Sequence, residues 1–192
     1  AFVHLDEGQA TYTFYDEDTA TREIQPDDID PVPSDIEAMF FGGISLCNPP
    51  VADSLLTLAL AQPERRLVMA DPNIRPSFVS DHEGYRARLN ALIARADIIK
   101  LSDDDLNWVI PGEASLEDKA KEILTRGPKM FLLTEGGHGA TAYLQSGRHL
   151  HVPAQNATVV DTGGEGDTFN AGCLAALRGE GALAPGQIAD MS

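Results

Sequence analysis

The hydrophobic pattern divides the chain into two regions. Apolar and polar residues alternate in residues 1–5 and 10–15, as they do in a β-hairpin. An acidic connector with three prolines follows, and after it short apolar runs alternate with stretches of helical periodicity. We therefore predict two units: part of a β lid with its connector in residues 1–35, and an α/β core in residues 36–192.

The second region has the order of elements that is typical of a parallel sheet with helices on both faces. In such doubly wound sheets ligands bind beyond the carboxyl ends of the strands. The predicted strands span residues 39–44, 67–71, 98–101, 130–134, 140–144 and 148–152, and the predicted helices span residues 51–61, 82–95, 115–125 and 167–178.

Composition excludes several classes of function. The chain has 30 Asp and Glu against 14 Lys and Arg, a formal net charge of −16. This charge argues against binding to nucleic acid or to an anionic membrane surface. No apolar run approaches the roughly 20 residues of a membrane-spanning helix, and Cys47 and Cys173 are far apart, as free thiols of a reducing compartment are. We expect a cytoplasmic protein with small-molecule partners.

The densest chemical signal is the glycine-rich stretch at residues 160–172. Gly163, Gly164 and Gly166 precede a helical pattern, and a glycine turn at a helix start presents backbone N–H groups to an anion. Asp167 lies at the predicted helix start. It is either an N-cap, where Asp is favoured, or a general base that faces a phosphate-binding loop. The spacing alone leaves both interpretations open.

Four segments resemble motifs of the ribokinase-like (PfkB) carbohydrate kinases, and they occur in the family's order. Asp161-Thr-Gly-Gly-Glu-Gly-Asp167 resembles the family's Asp-Thr-x-Gly-Ala-Gly-Asp motif, and Leu133-Thr-Glu-Gly-Gly-His-Gly139 its nucleotide turn. Asp71-Pro-Asn-Ile-Arg75 and Lys100-Leu-Ser-Asp-Asp-Asp105 are similar to segments of fructokinases, and the first also to 2-keto-3-deoxygluconate kinases. The resemblance implies a ribokinase-like fold and is strongest to the fructokinases.

The resemblance also implies the catalytic residues. Asp167 matches the base that takes a proton from the sugar hydroxyl. Gly164, Glu165 and Gly166 match the anion hole that stabilises charge on the transferred phosphoryl group. This assignment agrees with the physics of phosphoryl transfer, which depends mostly on positioning and electrostatics.

Further residues match ligand contacts of the family. The nucleotide-binding positions are matched by Lys100, Ser102, Thr134, Gly136 and Gly139. Simpler alternatives stay open for two of these matches. Residues 134–137 can form no more than a tight turn between strands, and Lys100 can be an ordinary lysine at the end of a strand.

The substrate and metal positions are matched by four residues. Asn73 and Arg75 would lie towards the sugar or the phosphates. Asp105 would act on Mg²⁺ through water, although Asp103, Asp104 and Asp105 can equally be a solvated helix start. Asp161 matches a residue near a monovalent-cation (K⁺) site.

The implied function is an ATP-dependent sugar kinase that converts fructose to fructose 6-phosphate. Phosphorylation of 2-keto-3-deoxygluconate is an alternative. So is a catalytically silent nucleotide- or sugar-binding protein, because Glu165 stands where the family usually has Ala and its carboxylate would repel a polyphosphate. Relatives often dimerise through lid strands, so a homodimer through residues 1–15 is possible. Family chains begin with a strand and an early Gly-Gly motif that are absent here, so we expect truncation at both ends.

Overall fold

The structure is a computed structural model, and it describes residues 2–6, 9–13, 15–156 and 163–189. Its first sheet is the predicted hairpin, formed by antiparallel strands β1 (Phe2–Asp6) and β2 (Gln9–Thr13) with Phe2 opposite Thr13. The ring of Phe2 meets that of Tyr15 edge to face, with ring centroids 5.6 Å apart. The lid boundary and the dimer interface that we predicted here stay predictions.

The second sheet has six strands in the spatial order β3-β4-β5-β6-β7-β8. Strands β3 to β6 are parallel, whereas β7 and β8 are added antiparallel at one side. This arrangement confirms the predicted α/β class. The strands are β3 (Ala38–Gly42), β4 (Leu67–Asp71), β5 (Ile98–Ser102), β6 (Met130–Thr134), β7 (Ala140–Leu144) and β8 (His149–Val152).

Helices cover both faces of this sheet, as in a doubly wound fold. Successive strand residues point to opposite faces, so Ile99 joins the core cluster that contains Leu89 and Ile123, while Ile98 joins the cluster that contains Leu177. The helices are α1 (Val51–Leu60), α2 (His82–Arg95), α3 (Asp103–Val109), α4 (Leu116–Thr125), α5 (Glu165–Gly179) and α6 (Pro185–Ala189).

Strand β3 ends earlier than the hydrophobic pattern predicts. It stops at Gly42, and Ile44 lies in a single turn of 3₁₀ helix instead. The cause is a close main-chain contact, because a Cβ built on Gly43 would lie 1.1 Å from the carbonyl oxygen of Pro72. Only glycine fits there, and the loops after β3 and β4 therefore pack against each other through their backbones.

Helix α5 begins two residues before the predicted start. Its N-cap is Gly164, which has a φ of +79°, and Asp167 is the third residue of the helix. The interpretation of Asp167 as an N-cap is therefore wrong. The structure also has a short helix, α3, that the hydrophobic pattern did not delimit. Across the described ranges, no helix is both long and apolar enough to cross a membrane.

Candidate active site

Three buried polar side chains meet at the carboxyl ends of β4 and β5. Asp71 ends β4, Lys100 lies in β5, and Asn170 lies in α5. The Nζ atom of Lys100 is 3.2 Å from Oδ2 of Asp71, and Nδ2 of Asn170 donates to the same oxygen at 2.8 Å. Their residues are 3–6% exposed. We call Asp71, Lys100 and Asn170 the polar floor.

The first turn of α5 rests directly on the polar floor. A Cβ built on Gly166 would lie 3.5 Å from Nζ of Lys100 and 3.6 Å from Oδ2 of Asp71. Gly166 and Asn170 are four residues apart and so share one face of the helix. The floor thus supports the glycine-rich loop from below.

The helix start itself is open to a ligand. The Gly164 cap supplies no side-chain hydrogen bond, and its carbonyl oxygen accepts from the Thr168 backbone N–H and from the Thr168 hydroxyl, both at 2.9 Å. The first N–H groups of a helix lack intrahelical acceptors and attract anions. A cavity of about 660 Å³ adjoins this turn, lined by Gly163, Gly164, Glu165, Thr168, Phe169, Gly172 and Cys173.

Glu165 and Asp167 are both exposed at this helix start. A carboxylate here is favoured by the helix dipole. It is also close to the place where a phosphate would bind, so the arrangement offers a proton acceptor beside an anion site.

A second, mostly apolar cavity of about 430 Å³ lies next to the first, and Phe169 lines both. Gly136 and Gly139 belong to its wall, with φ values of +52° and +108°. At Gly139 a Cβ would lie 2.2 Å from the carbonyl oxygen of Val152, so a side chain is excluded there. Gly139 thus lets the turn after β6 lie close against the backbone at the end of β8.

The loop after β4 carries the residues predicted to face the sugar. Asn73 is exposed with a φ of +42°, and Arg75 is half-buried and donates to the carbonyl oxygen of Ile74 at 3.1 Å. The backbone N–H of Ile74 donates to Oδ1 of Asp105 at 2.9 Å. This bond ties the loop to the start of α3.

The buried carboxyl of Asp105 is thus engaged in the fold. Burial raises the pKa of Asp105, while hydrogen bonds from Ser102 and Ile74 and the charge of Lys100 act in the opposite direction. Within the described ranges no cluster of three or more His, Cys, Asp or Glu side chains could hold a metal ion. Asp161 lies outside the described residues, so both metal assignments stay predictions.

Comparison with known proteins identifies the family. A family model described as "pfkB family carbohydrate kinase" matches residues 1–184. The chain belongs to the pfkB family of carbohydrate kinases. It is 41% identical over 192 residues to a fructokinase of Rhizobium leguminosarum bv. trifolii, and this match covers 100% of the chain and 58% of that relative.

Two solved kinase structures have the same fold as this pfkB chain. A fructokinase double mutant from Vibrio cholerae O395, in a form with fructose, ADP and potassium ion bound, is 25% identical with a TM-score of 0.73, over 82% of this chain and 50% of that one. Aminoimidazole riboside kinase from Salmonella enterica, complexed with aminoimidazole riboside and an ATP analog, is 27% identical with a TM-score of 0.70, over 80% and 51%. The chain thus spans about half the length of these proteins.

The structure brings some of the predicted site residues of this pfkB chain together and separates others. The turn from Gly164 to Asp167 lies over Lys100, but the Lys100 side chain is buried against Asp71. Ser102 caps α3, its Oγ accepting from the Asp105 N–H at 3.1 Å. Thr134 ends β6 beside the turn that lines the second cavity. Their nucleotide roles stay predictions.

Sequence reasoning missed two residues of the polar floor. Asp71 carried a signal, because it is a carboxylate at the carboxyl end of a buried strand. Asn170 carried a weaker signal, which is a polar residue at a position where the helical pattern predicts an apolar one. It lies on the sheet-facing side of α5 together with Cys173 and Leu177.

Proposed function

We propose that the protein is an ATP-dependent sugar kinase that converts fructose to fructose 6-phosphate. The observation that carries the proposal is the start of α5, where, among the residues that the structure describes, a glycine caps the helix without a side-chain hydrogen bond and Asp167 is exposed beside the first-turn N–H groups. An anion site next to a carboxylate is what transfer of a phosphoryl group to a hydroxyl requires.

The reaction follows from this arrangement. The Asp167 carboxylate accepts the proton of the sugar hydroxyl as the hydroxyl oxygen bonds to the γ-phosphorus. The bond from the γ-phosphorus to the bridging oxygen breaks, and ADP leaves with that electron pair. Backbone N–H groups of Gly164, Glu165, Gly166 and Asp167 stabilise the charge on the transferred group.

ATP fits the two adjoining cavities as a substrate. Its phosphates, with the Mg²⁺ that accompanies them, would lie in the cavity beside the first turn of α5, and its base would enter the second cavity beside Gly136 and Gly139. Phe169 contributes to both and would separate base from phosphates. We assign Thr134 to the nucleotide side and Asp161 to a cation, with K⁺ supported by the potassium ion bound in the Vibrio fructokinase. Ser102 and Asp105 are engaged within the fold, and the ligand roles predicted for them stay predictions.

The choice of fructose is supported by the relatives. The Rhizobium relative is named a fructokinase, and the Vibrio fructokinase was solved with fructose bound. Asn73 and Arg75, on the loop after β4, are the residues that we assign to the sugar. A 2-keto-3-deoxygluconate molecule carries a carboxylate, for which Arg75 is the cation on this loop.

The test is ADP release from MgATP by the full-length protein with one sugar at a time. The panel contains fructose, 2-keto-3-deoxygluconate, ribose, aminoimidazole riboside and no sugar, in KCl and in NaCl. We expect release with fructose at least tenfold above the no-sugar rate. A higher rate of ADP release with another sugar would identify that sugar, instead of fructose, as the substrate. Tight ATP binding without ADP release for any sugar would favour a catalytically silent binding protein.

A further inference from the structure

The polar floor is not arranged for stability alone. Oδ1 of Asp71 and Oδ1 of Asn170 are buried and have no hydrogen-bond partner among the residues that the structure describes. Unpaired buried acceptors cost free energy, and a buried ion pair often adds little to stability compared with apolar residues of the same size. A floor of apolar side chains would therefore be a simpler support for α5.

The two ends of α5 are held in different ways. Near its carboxyl end, Leu177 packs in an apolar cluster with residues such as Met69 and Ile98. Apolar contacts are non-directional, so they fix the depth of the helix better than its rotation. At the amino end, the hydrogen bond from Asn170 to Asp71 has a defined direction and length.

Both floor donors converge on one carboxylate oxygen. Lys100 Nζ and Asn170 Nδ2 approach Oδ2 of Asp71 from β5 and from α5. One atom at the end of β4 therefore fixes a neighbouring strand and the helix that carries Asp167. A Cβ added at Gly166 would be in van der Waals contact with Nζ of Lys100 and Oδ2 of Asp71, so the first turn of α5 lies close above this pair.

We propose that Asn170, Asp71 and Lys100 are positioning residues that set the place of the first turn of α5. They act through that turn, which holds Asp167 and the anion-binding N–H groups at the distance and angle that phosphoryl transfer needs. The proposal rests on the proposed kinase function. Under this proposal Lys100 acts by holding Asp71 in place, and it makes no direct contact with the nucleotide.

The two roles of Lys100 predict different kinetics. A residue that only binds ATP changes the KM for ATP and leaves kcat unchanged. A residue that positions the catalytic turn changes kcat, because displacements of about 1 Å lower rates about 100-fold. Asn170 tests the positioning role of the floor separately from any nucleotide contact of Lys100, because its removal leaves the Lys100–Asp71 pair in place.

The experiment compares Asn170→Ala with Leu177→Ala in the full-length protein. Both truncate a buried side chain on the same face of α5, so both lower thermal stability, but only the first touches the polar floor. We expect kcat to fall at least tenfold in Asn170→Ala, with the KM values for sugar and ATP within about threefold. Leu177→Ala should keep kcat within about twofold. Asn170→Ser should be intermediate, and it replaces Asn170→Ala if that variant does not fold.

Hydrogen exchange gives a second measurement that does not depend on activity. Backbone amides of residues 168–171, the first that are hydrogen-bonded within α5, should exchange about tenfold faster in Asn170→Ala and at the wild-type rate in Leu177→Ala. If the wild type releases no ADP with any sugar, the kinase function fails and this measurement alone decides the positioning role. Unchanged kcat together with unchanged exchange in Asn170→Ala, or a raised KM for ATP at unchanged kcat, would overturn the proposal.

Discussion

Helices α3 and α5 begin alike and yet differ in what their first turns can bind. Each follows the sheet's carboxyl edge and has carboxylates in its first turn. At α3 the Ser102 hydroxyl caps the helix, and the Asp105 carboxyl turns inward to the Ile74 N–H. At α5 a glycine caps the helix without a side-chain hydrogen bond, and Asp167 is exposed.

The difference shows what makes a helix start into a binding site. The acidic residues alone do not distinguish α3 from α5, and neither does their position at the strand ends. The distinguishing feature is whether the chain satisfies its own first-turn groups. The start of α3 is occupied by its own side chains, whereas no side chain among the described residues caps α5, and there we propose that the phosphates bind.

The strongest test of this contrast replaces one aspartate by asparagine in the first turn of each helix. Asp167→Asn removes the proton acceptor, so turnover should fall about 10³-fold, within the usual range for a general base. ATP affinity, measured by calorimetry, should stay within about twofold. The matched control is Asp104→Asn in α3, also an exposed first-turn aspartate, which should keep full activity. Equal losses of binding and turnover in Asp167→Asn would indicate a structural role.

The next test strains the cap of α5. Gly164 has a φ of +79°, where an added Cβ meets no neighbour but the backbone conformation disfavours alanine by about 1–2 kcal/mol. Gly164→Ala should therefore lower kcat about tenfold by shifting the first turn. Gly147→Ala is the control, because Gly147 has a φ of +86°, equal free space and a place in the β7–β8 turn. Similar kinetics for the two variants would contradict a special role for the α5 cap.

A pH series tests the closed start of α3. Burial raises the pKa of Asp105 above its ordinary 3.8, so above that pH the folded protein binds this proton more strongly than the unfolded chain, and the group's contribution to stability falls as pH rises. Asp105→Asn does not titrate. The free energy of unfolding of Asp105→Asn minus that of wild type, measured in urea, should therefore increase as the pH is raised above 4, by at most about 1.4 kcal/mol per pH unit. Asp104→Asn should show no such slope, and a fall for Asp105→Asn would refute the assignment.

The smallest expected effect concerns Glu165. Its exposed carboxylate shares the α5 helix start with any bound phosphate, so Glu165→Ala should lower the KM for ATP about two- to fivefold at low salt. In about 0.5 M KCl the effect should disappear through screening. Glu180→Ala removes the same charge at the other end of α5 and should leave the KM for ATP unchanged. An unaltered KM in Glu165→Ala would mean that the carboxylate points away from the phosphates.

Much of the fold was predictable because local patterns determine it. Strands β4, β6 and β7 and helix α2 have the predicted bounds. Each of these strands is a short apolar run between polar or turn-forming residues, and α2 begins after an aspartate cap. Such signals are contained in a few consecutive residues.

The deviations have causes that are distant in the sequence. Strand β3 ends early because Gly43 meets the backbone of Pro72 in the next loop. The bond from Asn170 to Asp71 joins residues 99 positions apart. Neither partner carries a local mark of the other. A glycine turn that opens a helix with Asp167 in its first turn could therefore be predicted, whereas the hydrogen bond between Asn170 and Asp71 beneath it could not.

The contact between Gly43 and Pro72 bears on how such a protein can change during evolution. The loop that holds Asn73 and Arg75 is supported by main chain, both at Gly43 and through the Ile74 N–H. The side chain at 75 can therefore be exchanged while the loop keeps its course, whereas position 73, with a φ of +42°, favours Asn, Asp or Gly. Position 43 has no such freedom, because any larger residue would push the loop away. Under the proposed function, new substrate preferences are therefore most accessible through replacement at 75, while the glycine stays fixed.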